Sequence, residues 1–169
     1  WLLLLVPLLA RSQQAVPSRP SPLNIAKMRY KDAYVKLVYS QPHKRNRKVF
    51  GELVPYGQVW RTGANEATEL TTTKDILINN QLLKAGTYSV FSIPQTDKWT
   101  IIINSELGLW GAYNHNPKLD VMRFDVSVHK QPNSPYEAFT MQFDQKNETA
   151  DLLLMWDDVK VIVPFKFIN

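Results

Sequence analysis

Three stretches of the chain alternate apolar and polar residues with a period of two. In 121–129, Met122, Phe124, Val126 and Val128 alternate with Arg123, Asp125, Ser127 and His129. In 159–167, Val159, Val161, Val163, Phe165 and Phe167 alternate with Lys160, Ile162, Pro164 and Lys166. In 139–144, Phe139, Met141 and Phe143 alternate with Thr140, Gln142 and Asp144. Successive side chains of a strand point to opposite faces, so each pattern predicts a strand with one buried face. Segments 34–40, 67–73, 75–78, 87–93, 98–103 and 151–156 are six further short candidates. No amphipathic helix of about ten residues stands out. The expected fold is therefore all-β and antiparallel, one domain, a jelly-roll-like Greek-key β-sandwich of about eight to nine strands.

The turn chemistry fits. Asn79-Asn80 predicts a two-residue hairpin turn, because Asn tolerates positive φ. Leu83 to Tyr88, with Gly86 two residues before the tyrosine, has the form of a tyrosine corner, which favours a Greek-key sandwich over an up-and-down barrel. Segment 51–63 breaks the alternation and predicts a loop with a turn of helix. Trp99 shares phase with Ile101 and Ile103, and Trp156 with Leu152 and Leu154, so both are expected in the core.

The amino terminus reads differently. Residues 1–10 are nearly all apolar, far short of the ~20 residues needed to span a bilayer. Small residues follow, so 1–12 is read as a secretory signal truncated at its start, cleaved after Ser12. Residues 13–26 hold three prolines and read as an extended leader, leaving 27–169 as the domain. The protein is thus expected to be exported, periplasmic or secreted, from a bacterium, with no transmembrane segment. The chain has no cysteine, which excludes disulfides, a thiol nucleophile, a thiolate metal site and a lipoprotein anchor. Its 44% hydrophobic residues suffice for one core, since a domain of ~150 residues buries roughly 68–70% of its unfolded surface.

The net charge of +5 is unevenly spread. Between Lys27 and Lys48 there are eight bases against Asp32 alone, which marks either an anion-facing surface or a solvated loop. Nucleic acid is not expected as a partner, because no basic-aromatic binding motif is present.

The most informative block is 53–68, LVPYGQVWRTGANEAT. It resembles the signature of a bacterial family known only as domain of unknown function 2911. Segments 85–94, AGTYSVFSIP, and 110–113, WGAY, resemble the same family in the same order. The resemblance covers about residues 20–168. It implies an exported β-rich domain and brings no activity, cofactor or catalytic residue with it.

The residues themselves offer one candidate ligand site: Tyr56, Trp60, Arg61, Asn65 and Glu66, joined by the loop aromatics Trp110 and Tyr113. Arg61 supplies a fork of donors, Asn65 donors and acceptors, Glu66 a carboxylate, and the aromatics a stacking surface. The same residues equally build a brace, with an Arg61–Glu66 ion pair and Trp60 as a hydrophobic plug. His43 and His115 could join Glu66 as a two-His-one-carboxylate metal set, though no short spacing supports it. No Gly-x-Ser-x-Gly elbow occurs, and a glycosidase pair would need Glu66 near Asp120 or Glu106. Nothing calls for a cofactor. The sequence leaves the activity unknown and three classes open. The first is an exported non-catalytic binding module for a small polar, anionic or carbohydrate ligand. The second is a hydrolase using Glu66 as general base, with or without a metal. The third is a structural or partner-binding envelope protein.

Overall fold

The structure, a computed structural model, describes residues 18–168; the expected signal segment and its cleavage position lie outside them. Eleven strands are present: β1 (Leu23–Tyr30), β2 (Ala33–Ser40), β3 (Ala64–Thr72), β4 (Ile76–Ile78), β5 (Gln81–Leu83), β6 (Gly86–Pro94), β7 (Lys98–Asn104), β8 (Asp120–Lys130), β9 (Tyr136–Lys146), β10 (Thr149–Asp157) and β11 (Val159–Phe167). All nine expected strands are among them. β1 and β5 are additional, and β1 begins inside the segment expected as leader.

The strands form one antiparallel sheet in the order β1-β2-β3-β6-β7-β8-β11-β10-β9, with the β4–β5 hairpin attached to β11. The sheet curls until β1 and β9 approach, which makes it a nearly closed barrel. The count of eleven replaces the eight or nine expected. β8 carries the curl: residues 120–127 pair with β7, whereas Val128 to Lys130 pair with β11.

The alternation seen in the sequence places the core. Val159, Val161, Val163, Phe165 and Phe167 all point inward and are at most 4% exposed, facing Leu152, Leu154 and Met141. Burial of such side chains stabilises by ~1.5–3 kcal/mol each. At the end where β3, β7, β9 and β11 start, the interior is aromatic. Phe50, Trp60, Trp99, Phe139 and Trp156 pack ring on ring, with Trp60 stacked on Trp156 at 5.9 Å. Trp99 and Trp156 are core residues, as the phase predicted.

Local devices also match. Ile78 pairs with Gln81 across Asn79-Asn80, whose φ values of 48° and 61° are those of a type I′ turn. The Tyr88 hydroxyl donates to the Lys84 carbonyl at 3.0 Å, the bond of a tyrosine corner. A second, smaller apolar cluster lies on the outer face of the sheet. There Ala67, Phe91 and Ile102 are covered by Leu109 and Ala112 of the 105–119 loop.

Candidate functional site

Two irregular segments meet outside the aromatic end of the barrel: 51–63, between β2 and β3, and 105–119, between β7 and β8. The first is built around Trp60. Its backbone pairs with Ser92 of β6, donating at 2.7 Å and accepting at 2.9 Å. Its ring enters the core and its Nε1–H donates to the Gly63 carbonyl at 3.0 Å. Thr62 follows with φ of 52°, unusual for a β-branched residue. It is fully buried, and its hydroxyl bonds the Ser92 hydroxyl at 3.0 Å, while its carbonyl accepts from Thr68. Trp60 and Thr62 are thus both fixed inward, and Arg61 between them is turned outward.

Arg61 lines a cleft of about 460 Å³. Leu53, Pro55, Val59 and Ala112 supply its apolar walls, and Gln58 and Tyr113 its other polar groups. The guanidinium is half-buried, its Nε is buried without a hydrogen-bond partner, and no carboxylate of the described residues pairs with it. Burial pushes its pKa down from the ordinary value, against a smaller opposing effect of Tyr113. Tyr113 is 85% exposed, and its ring lies against Gly111. Gly111 has φ of 69°, and a Cβ there would come within 2.7 Å of that ring. Glycine is what lets the loop turn and the ring lie close.

The remaining candidates separate from this cleft. The Arg61–Glu66 brace is not formed. Glu66 instead accepts two hydrogen bonds from Arg19 Nη1, at 2.7 and 2.9 Å. The reversal through Thr62, Gly63 and Asn65 (φ 57°) puts Glu66 on another groove, with Leu23, Val38 and Leu109. Its own backbone N–H, then Arg19, hold the Glu66 carboxyl below the usual range. Asn65 Nδ2 contacts the Ser21 carbonyl and the Ser40 hydroxyl, both at 3.4 Å, and its carbonyl accepts from Gly111. Trp110 is 60% exposed and bridges Glu66 by backbone. Tyr56 packs its ring over Gly51, outside the cleft. Of the seven predicted residues, the cleft gathers Trp60, Arg61 and Tyr113, and Trp60 serves it as floor and plug.

His43 and His115 do not converge on Glu66, and among the described residues no group of three or more metal-binding side chains forms. His43 Nδ1 is buried and unbonded. His115 Nε2 and Asp120 Oδ1 share a hydrogen bond of 2.9 Å, with side chains 6% and 7% exposed. Asp120 also accepts from Asn104 Nδ2 at 2.8 Å and Arg123 Nε at 2.6 Å. Burial alone would raise the Asp120 pKa, but these bonds outweigh it and hold the carboxyl low. With Phe91 against the His115 ring, the cluster anchors the loop that carries Tyr113.

The matching segments now form one barrel with its loops, and a family model, "Protein of unknown function (DUF2911)", matches residues 21–165. The chain belongs to this family. No curated protein and no solved structure matches it. Membership in the DUF2911 family therefore leaves the function unknown. No helix of the described residues is long and apolar enough to cross a membrane.

Two participants were missed from sequence. Gln58 lies in the signature block but carries no distinguishing charge or periodicity. Arg19 stands 47 residues from Glu66 in a segment read as leader, and local spacing holds no signal for such a partner. The basic run is also divided by the fold. Lys44 pairs with Asp157 and Lys48 with Glu52, while Lys27, Arg29 and Lys36 share the outer face of β1 and β2.

Proposed function

We propose that the protein is an exported, non-catalytic binding module that holds a small polar ligand in the cleft between segments 51–63 and 105–119. The observation that carries this reading is Arg61. A buried, unbonded donor destabilises a fold by about 1–3 kcal/mol, and more when charged. Here the donor belongs to a guanidinium beside a cleft of ligand size. The left-handed Thr62 next to it is the kind of backbone strain that concentrates at functional sites. Loops on a rigid barrel are where binding residues are usually placed.

The hydrolase reading is less well supported. A general base at neutral pH profits from a raised carboxyl pKa, whereas Glu66 is lowered and paired with Arg19. We also propose a finer description of the fold, a Greek-key sandwich whose two halves join at β8. The order β8-β11-β10-β9 and the tyrosine corner support it.

Urea unfolding of Arg61→Leu at neutral pH tests the binding reading. An empty binding site sacrifices stability, so the variant should equal or exceed the wild type, by up to about 2 kcal/mol. A loss above about 2 kcal/mol would make Arg61 a structural residue and overturn the proposal.

A further inference from the structure

The cleft chemistry narrows the ligand, on the reading that the cleft binds one. We infer that it takes a small organic carboxylate with an apolar body, its carboxylate on the Arg61 fork and its body between Val59, Pro55 and Ala112. Three observations lead there.

The first is charge. The lining contains one cation and, among the described residues, no carboxylate, so a ligand with one negative group is complemented and a cationic one is repelled.

The second is the shape of the unmet donor. Arg61 Nε is the buried, unbonded atom. A carboxylate meeting the half-exposed guanidinium receives two parallel bonds from its fork of N–H donors, the strongest available answer to unmet donor capacity. A lone hydroxyl meets one donor and leaves the other bare.

The third is the poverty of other polar groups. A sugar of several hydroxyls requires a comparable number of placed donors and acceptors once desolvated. Beyond Arg61, the side chains offer only the Gln58 amide and the Tyr113 hydroxyl, against five aliphatic side chains, Val54 included. The Tyr113 ring, exposed and lying against Gly111, offers an aromatic surface to an apolar body. Carbohydrate, one of the classes drawn from the sequence, is therefore disfavoured.

The probes are phenylacetate, phenylacetamide, glucose and inorganic phosphate, titrated into the protein at neutral pH and followed by backbone amide NMR. Phenylacetate should shift amides of residues 58–61 and 111–113. Phenylacetamide and glucose should bind at least tenfold more weakly, and phosphate likewise, since it lacks the apolar body. Arg61→Lys keeps the charge but loses the fork, and should weaken phenylacetate at least tenfold, with unchanged core amides certifying the fold. The comparison among probes on wild type needs no variant and stands if Arg61→Lys fails to fold. Equal binding of phenylacetamide would overturn the carboxylate assignment and leave the cleft a binding site. Phosphate matching phenylacetate would overturn the apolar body. Absence of binding by all four would overturn this inference, while the stability of Arg61→Leu separately decides whether the cleft is a site at all.

Discussion

Glu66 is the residue at which sequence and structure part most clearly. Its partner is Arg19, and both side chains are nearly half exposed (48% and 43%). Exposed ion pairs contribute about 0–1 kcal/mol, so Glu66→Gln should destabilise by no more than that at neutral pH. The sign with pH follows from the lowered carboxyl. The folded pKa lies below the ordinary 4.5, so the contribution is complete above pH 4.5 and disappears as pH falls through the folded value. Thermal unfolding should show a small deficit at pH 7 that shrinks as pH falls below 4.5, with Glu69→Gln as the control. A deficit that does not shrink at all below pH 4.5 would mean that Glu66 acts through something other than its charge. The choice of Arg61 as partner came from proximity in sequence, which the left-handed turns at Thr62 and Asn65 make irrelevant. Trp60 was undecidable for a related reason: an irregular segment has no period, hence no phase to say which side is inward. Trp99 and Trp156, in regular strands, had one.

Elements were legible where one face dominates. β8, β9 and β11 announce themselves because every inward residue is large and apolar. β1 does not. Its inward positions are Ala26 and Met28, while Leu23 and Ile25 are exposed at 59% and 56%, so the hydrophobic contrast that marks a strand is inverted over half its length. β5, of three residues, is too short to show any period. The 105–119 loop has no period at all, and its order comes from side chains. His115, Asn104 and Arg123 converge on Asp120. Asp120→Asn keeps a carbonyl but places an amide against Arg123, and should destabilise by about 1.5–3 kcal/mol at pH 7, the range for hydrogen bonds to charged groups. Because the Asp120 pKa is held below its ordinary 3.8, the wild type has this advantage above pH 3.8 and loses it as pH drops further. Urea midpoints of the two proteins should therefore converge progressively as pH is lowered below 3.8. Convergence already at pH 5 would mean that the Asp120 carboxylate does not carry the difference.

At the scale of the molecule, strand parity decides how the barrel closes. Eight successive antiparallel pairings lead from β1 to β9, so these two edge strands run parallel and no antiparallel ladder can join them. They approach without any backbone ladder, and side chains fill the gap. Gln145 Nε2 donates to the Arg29 carbonyl at 2.8 Å, the Met141 N–H reaches the Tyr39 hydroxyl at 3.0 Å, and the Ile25 N–H turns to Asn24 Oδ1 at 2.8 Å. Exposed edges invite pairing with other chains, and charged outward residues such as Lys27 and Arg29 discourage it. In an antiparallel pair, alternate residues of an edge strand bond the neighbour and the rest face away. The partners of Ile25 and Arg29 put the odd-numbered residues of β1 on the seam. Native-state hydrogen exchange should accordingly split β1 by parity. The amides of Lys27 and Arg29 should exchange at least tenfold faster than those of Ala26 and Met28, which bond β2, and faster than the interior amides of β7 and β10, strands paired on both sides. Uniform slow exchange along β1 would mean that a parallel β1–β9 ladder closes the barrel and that the seam is not an edge.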